Sequence, residues 1–425
     1  MPKESMEKNA KKTANKRVKK AAKKAVKKHP GAVIAIVVIL VVLIAVGAVL
    51  YLKVDKVHDA VNELIGINAA KEDQGLSGGE PKTSSDLPKA TTYGDNDLSF
   101  HFLELGNKYT GDCTYIKAGD VDILIDAGSR QNSADAIASY VDQYCTDGTL
   151  EFVIATHAHQ DHIAGFTNTS GRAGIFKRYG CGIIIDNVKM REKDETEVYK
   201  KYLAARDQEV ADGAKYYTAL ECCNKTNGAQ KTYELGEGMS MTILYHDYYQ
   251  QDTEDYNDFS VCVLFNHGEN YYLLTGDLEE KGEASLVANN TLPEVQLFKA
   301  GHHGSYTASS DALLSVIKPK IVCVCCCAGS VEYTKDKNDH TFPAQEFIDR
   351  VAPYTTRVYV TTLGIVEYNS AGNKYEDKGY TSMNGNITVL SSGGEVTVTC
   401  SNNDTLLKDT EWFAENRKRP SAWAS

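Results

Sequence analysis

Surplus positive charge is what this sequence lacks. Its 425 residues hold 46 Lys and Arg against 57 Asp and Glu, a formal charge of -11. Twelve of those cations fall within residues 1–29, opposed only by Glu4 and Glu7, so that stretch carries +10 and the remainder -21. A uniformly basic nucleic-acid binder is therefore excluded, because such binding draws its affinity from Lys and Arg on phosphates. Proline is scarce at 9 residues, and 42% hydrophobic with 24% charged is a globular composition, neither collagen-like nor disordered. The length allows two or three domains, or one large one with extensions.

Cysteine is present eleven times, an odd number. Four residues crowd into IVCVCCCAGS, where alternation puts Cys323, Cys325 and Cys327 on one strand face. These read as buried, inert thiols, since zinc ligands of this kind sit on turns. Cys222 and Cys223 are adjacent, which strains against a mutual bridge, and no disulfide is assigned.

Long apolar runs are also lacking, with one exception. Gly31–Leu52 reads GAVIAIVVILVVLIAVGAVLYL, 22 residues without a charge. About 20 apolar residues span a bilayer as a helix. A signal peptide has a shorter apolar region and a small-residue cleavage site, and a buried helix is usually shorter. The run is therefore expected to be one uncleaved transmembrane helix. The basic segment before it would keep the N-terminus in the cytoplasm and place the rest outside the cell. The expected organisation is a basic cytoplasmic tail at 1–30, the span at 31–52, a stalk and flexible linker at 53–96, a folded domain at 97–400 and a C-terminal tail at 401–425. The linker is marked by GLSGGEPKTSSDLPK.

Past the linker the pattern alternates strands and helices. LSFHFLEL, YIKAG and VDILIDAG read as strands, the last two joined by a turn at Gly119-Asp120. SADAIASYVDQYC is an amphipathic helix, and residues 194–212 are helical with a charged face. MSMTILYH, SVCVLFNHG, YYLLTGD, IVCVCC and RVYVTT are further strands, and NGNITVLSSGGEVTVTC is a closing antiparallel ribbon. Two mixed sheets covered by outer helices follow from this order.

The chemistry lies in THAHQDH, residues 156–162, directly after the strand LEFVIA. A lone His there would ordinarily be a core or cap residue. Four potential ligands, His157, His159, Asp161 and His162, within six positions can instead hold metal for hydrolysis. Imidazole with carboxylate suits zinc, manganese or iron over calcium. Asp126, Asp277, His302 and His303 also fall at the ends of predicted strands, where α/β sheets place ligands.

With its H-x-H-x-D-H signature, the chain resembles the metallo-β-lactamase superfamily over most of residues 97–400. More narrowly it looks like the extracellular hydrolase domain of ComEC-type DNA-uptake proteins. The supporting segments are GDC at 111–113, LIDAG at 124–128, HAHQDHIAGF at 157–166, NDFS at 257–260, LLTGD at 273–277 and KAGHHGSYTASS at 299–310. NDHTFP at 338–343 echoes a later turn of that family, and no multispan channel accompanies them.

The resemblance implies an α/β fold, a four-layer αββα sandwich. It implies that His157 and His159 bind a first metal, that Asp161, His162 and His303 bind a second, and that Asp277 bridges. Asp126 would orient ligand imidazoles. Asp161 and His302 would act in catalysis, His302 over the scissile phosphate as donor or general acid. One or two divalent ions per chain are implied, zinc, with manganese as the alternative. Asn257 stands where many superfamily members carry a third His, which weakens the first site, and His246 is a weak substitute.

The implied function is a membrane-anchored extracellular phosphodiesterase or nuclease using metal-activated water. The expected partners are membrane lipid through the span and a phosphodiester substrate, DNA among the candidates. Teichoic-type phosphodiesters and a non-catalytic binding module with the same fold remain the alternatives. Arg172, Lys177 and Arg178 could line a groove, and an insertion at 167–245 is the expected seat of specificity.

Overall fold

The computed structural model describes residues 93–334 and 337–424. Among them, sixteen strands form two sheets of eight. In chain order the first eight are β1 (Leu98–Phe102), β2 (Thr114–Ala118), β3 (Val121–Ile125), β4 (Thr149–Ala155), β5 (Gly180–Asp186), β6 (Lys215–Thr218), β7 (Thr232–Gly236) and β8 (Met239–Leu244). The rest are β9 (Cys262–His267), β10 (Asn270–Leu274), β11 (Leu297–Lys299), β12 (Ile321–Ala328), β13 (Val358–Asn369), β14 (Lys374–Ser382), β15 (Ile387–Ser392) and β16 (Glu395–Cys400). The first sheet has the order β16-β15-β1-β2-β3-β4-β5-β6 and the second β14-β13-β12-β11-β10-β9-β8-β7.

Period-two patterning decides the layers. In β3, Ile123 and Ile125 enter the core between the sheets, whereas Leu124 packs on the outer side. In β10, Tyr272 and Leu274 point inward and Leu273 points to the outer helices. Phe100 of the first sheet stacks on Tyr272 of the second, with ring centroids 4.8 Å apart. Helices Ser133–Val141 and Glu197–Ala211 cover the first sheet, and Glu280–Asn289, Asp311–Ile317 and Gln345–Val351 cover the second. The result is the four-layer αββα sandwich.

Parallel strands buried on both faces carry continuous apolar sequence, and β12 is the extreme case, with all eight residues buried. Cys323 and Cys325 enter the inter-sheet core and Cys326 the outer one. A register shift between Val324 and Cys327 breaks the simple alternation expected for Cys327. All eleven cysteines are free thiols.

Three expectations need revision. Among the described residues no helix is long and apolar enough to cross a membrane. The span Gly31–Leu52, with its basic tail and stalk, lies outside those residues, so the single-pass, outward-facing placement has no structural support and is withdrawn. Residues 167–245 are not an insertion, because they supply β5 and β6 to one sheet and β7 and β8 to the other.

The fold also does not stop at residue 400. Leu407, Trp412, Phe413 and Trp423 pack onto the outer face of the second sheet. Trp423 is 1% exposed and its Nε1–H donates to the Thr355 carbonyl at 2.9 Å. Trp423→Ala is therefore expected to cost about 3–5 kcal/mol of stability, read as a lower midpoint in urea unfolding. An unchanged midpoint would show that the C-terminal segment contributes nothing to this core.

Candidate metal centre

Loops from the two sheets meet at one end of the sandwich. From the first sheet come Asp112 between β1 and β2, Asp126 after β3, and the segment His157–His162 after β4. From the second come Asp277 after β10, Lys299 closing β11, and the turn Gly301–Gly304. Asp112, Asp126, His157, His162, Asp277, Lys299 and His303 are all buried.

The central contacts are close. His162 Nε2 stands 3.0 Å from Asp277 Oδ2, and His303 Nε2 stands 3.1 Å from the same oxygen. His303 Nε2 is also 3.2 Å from Asp161 Oδ2. The far nitrogens fix both rings. His162 Nδ1 lies 2.7 Å from Asp126 Oδ2, and His303 Nδ1–H donates to the Cys325 carbonyl at 2.9 Å. Asp126 is itself held by the Thr156 amide and hydroxyl, each at 2.8 Å. Each imidazole thus turns Nε2 toward the centre, which is how supporting partners set a ligand histidine.

The backbone supports this at a cost. Asp126, His302 and His303 all have left-handed backbones, with φ of 61°, 45° and 55°, a region that disfavours residues with a Cβ. Gly276 has φ 55°, and a Cβ there would meet Ser260 and Thr156 at 3.0 Å. Glycine is therefore required where β10 delivers Asp277.

The charges show what the centre can accept. Asp112, Asp126, Asp161 and Asp277 bring four carboxylates, and Lys299 brings one ammonium. Burial disfavours imidazolium, yet Asp277 and Asp126 hold His162 well above its ordinary pKa. Asp277 and Asp112 likewise override burial at His303. Asp277 Oδ1 is buried and accepts no hydrogen bond. Ligand atoms of Asp112, His162, Asp277 and His303 lie within 4.8 Å of one another. A buried carboxylate with Oδ2 on two oriented imidazoles and Oδ1 without a hydrogen bond fits a divalent cation such as zinc or manganese.

His157 and His159 form a second pair, with Nε2 and Nδ1 2.9 Å apart. The His157 ring lies 4.2 Å from that of His162. Among the described residues, no third His, Cys, Asp or Glu forms a ligand group with this pair. Asn257 is buried with Oδ1 unpartnered. His246 lies apart, its Nε2–H donating to the Ser260 carbonyl at 2.9 Å and its ring against Tyr249.

His302 diverges from His303 for a reason other than strand pleating. β11 ends at Lys299, and both histidines sit in the left-handed turn beyond it. His302 Nδ1 lies 3.0 Å from Glu279 Oε1, and Thr307 donates to that oxygen at 2.7 Å. His302 Nε2 is left 3.9 Å from Asp277 Oδ2 and partly exposed. Arg172 and Arg178 do not line a groove together, because both converge on Asp135.

Four residues of the centre were not singled out from sequence. Asp112 sits in the GDC segment, and Lys299 is a charged residue ending an apolar strand. Glu279 follows Asp277 by two positions, which gave no sign that it would reach His302. Tyr333, whose hydroxyl donates to Asp161 Oδ2 at 2.8 Å, carries no local sequence signal. Lys299 is ion-paired with Asp112, donates to the Ala300 carbonyl at 3.1 Å and lies 4.0 Å from Asp277 Oδ1. That places Asp112 under a resident cation, beside Nδ1 of His303 at 3.4 Å.

Residues 106–215 match the family model of the Metallo-beta-lactamase superfamily. Recombination protein 2 of Haemophilus influenzae is 31% identical over 121 residues, covering 28% of this chain and 14% of that protein. ComE operon protein 3 of Bacillus subtilis is 24% identical over 225 residues, covering 52% of this chain and 24% of that protein. The chain thus spans under a quarter of the length of these relatives. Among solved structures, the metallo-beta-lactamase fold protein YhfI of Bacillus subtilis is 10% identical with a TM-score of 0.33, over 62% of this chain and 95% of that one. A probable metal-dependent hydrolase of Staphylococcus aureus is 14% identical with a TM-score of 0.28, over 68% and 98%.

The buried pair generates a test. Lys299→Met leaves Asp112 as an uncompensated buried charge, so it is expected to destabilise the metal-free protein by about 3–5 kcal/mol. The double variant Asp112→Asn, Lys299→Met should recover much of that loss in denaturant unfolding with chelator present. Additive losses would show that the two groups are not coupled.

Proposed function

From a metallo-beta-lactamase fold domain with weak similarity to DNA-uptake proteins, the fold of metal-dependent hydrolases, we propose a phosphodiesterase whose divalent metal is held by Asp161, His162, Asp277 and His303. The observation that carries this reading is the convergence of those four side chains at 3.0–3.2 Å, with His302 beside them. A divalent ion bound there supplies a Lewis acid and an activated water near neutral pH. His157 and His159 are the proposed ligands of a second, weaker ion.

The chain's own residues do the rest. Asp126 and the Cys325 carbonyl hold the ligand rings in register. Glu279 accepts from His302 Nδ1–H, so Nε2 faces the substrate, donating a hydrogen bond to the phosphoryl group or a proton to the leaving oxygen. Asp161 is proposed to help accept the proton of the attacking water.

Nucleic acid is the favoured substrate, supported by the similarity to Recombination protein 2 and ComE operon protein 3. One observation favours a smaller phosphodiester as a second reading. Asp255 and Asp258 stand with Glu279 on the His302 side, and burial together with Asp255 pushes the Asp258 carboxyl up to about 6. A wall of carboxylates repels a long polyanion more than a short one.

The purified protein is expected to hydrolyse bis-p-nitrophenyl phosphate with zinc or manganese and to lose that activity to chelator. A panel of single-stranded DNA, duplex DNA, RNA and teichoic-type phosphodiesters separates the substrates. His303→Ala should lose both metal and turnover. His302→Ala should keep metal while kcat falls about 10²–10³-fold. If His302→Ala strips the metal and His303→Ala retains it, the two roles are reversed. Metal titration should show two unequal affinities, and two equally tight ions would refute the weak first site.

A further inference from the structure

We propose that Tyr333 is a catalytic residue, its phenol hydroxyl donating a hydrogen bond to the phosphoryl group from the Asp161 side of the centre. The inference rests on the phosphodiesterase reading and adds the contact that reading lacks. Tyr333 is 50% exposed, yet its hydroxyl reaches Asp161 Oδ2 at 2.8 Å. That oxygen is 3.2 Å from His303 Nε2. The phenol therefore touches a proposed metal ligand directly, on a residue that is half exposed.

Contacts besides the bond to Asp161 hold Tyr333 in position. The ring packs on Phe342 at 5.6 Å between centroids, and Phe342 lies 5.8 and 5.7 Å from the rings of His302 and His303. The preceding residues are anchored as well. Glu332 is ion-paired with Arg130 and accepts from the Thr110 amide at 3.1 Å. The Val331 amide and the Ser330 hydroxyl both donate to Asp377 at 3.1 Å. A side chain fixed by packing and a pinned backbone loses little freedom when it meets a ligand, which is the condition for a useful transition-state donor.

The two donors reach different carboxylates of the centre. His302 Nε2 approaches from the Asp277 side at 3.9 Å, and Tyr333 from the Asp161 side. In an in-line displacement at phosphorus, charge grows on the equatorial oxygens, and a second fixed donor adds to what His302 supplies. A carboxylate that gives electron density to a dication is a poorer hydrogen-bond acceptor, so the phenol is available to a phosphoryl oxygen when metal and substrate are both present.

The test is Tyr333→Phe, which removes one oxygen and keeps the ring on Phe342. With bis-p-nitrophenyl phosphate, kcat is expected to fall ten- to a hundredfold while KM changes less than threefold. Metal affinity, measured by titration without substrate, should stay within twofold of the parent. Binding of inorganic phosphate to the metal-loaded protein should weaken severalfold. Full turnover in the variant overturns the proposal. So does a loss of metal affinity, because Tyr333 would then act only by supporting Asp161. If the parent cleaves no phosphodiester, the functional reading fails, and the phosphate titration still decides Tyr333: equal affinity in parent and variant overturns it, and weaker affinity in the variant supports it.

Discussion

Four buried carboxylates gathered around two imidazoles are the constraint on which the rest of this centre depends. Desolvating one unpaired carboxylate is costly, and gathering several adds mutual repulsion. The chain compensates locally in three ways. Lys299 takes Asp112, the Thr156 amide and hydroxyl take Asp126, and the His162 and His303 rings take Asp277 and Asp161. These leave Asp277 Oδ1 and Asp112 Oδ1 buried without a hydrogen bond, with Lys299 4.0 Å from the former. The electrostatics and the donor chemistry therefore converge on the same place for a cation.

Neither sheet builds this centre alone. Asp112, Asp126, Asp161 and His162 belong to the first sheet's loops, whereas Asp277, Lys299 and His303 belong to the second. Their spacing is set by the inter-sheet core, where Phe100 meets Tyr272 and Phe265, and Phe152 meets Tyr233. A sub-ångström change in sheet separation alters the distance from His162 to Asp277. Close packing between the sheets is thus also a requirement of the chemistry.

Much of this was legible in the sequence because strand ends are locally encoded. LEFVIATH and YYLLTGD announce both the strand and the group it delivers, and VDILIDAG does the same for Asp126. The layers followed from alternation, as at Leu273 between Tyr272 and Leu274. What was not legible depends on contacts far apart in the chain. Tyr333 reaches Asp161 across 172 positions, and no local pattern encodes that. Trp423 lies beyond the last strand, and its burial depends on reaching Thr355. Residues 167–245 looked like an insertion in part because KYYT of β6 is short and polar, and only pairing to β5 reveals its place. The membrane expectation rested on an apolar run alone, with no packing to test it.

The same physics ties metal to stability. Three positions around the centre hold left-handed backbones that side chains resist, and the carboxylates there repel one another. Both costs are met by groups that the fold positions, and a bound dication would relieve the electrostatic part. Because the unfolded chain has no such preformed site, the free energy of metal binding becomes free energy of folding. The elements most responsive to metal should be those that end at it, the turns after β4, β10 and β11, rather than β13 and β14 at the sheet's far edge. A centre built this way would favour retaining an ion, since losing it returns the repulsion to a buried site that screens charge poorly.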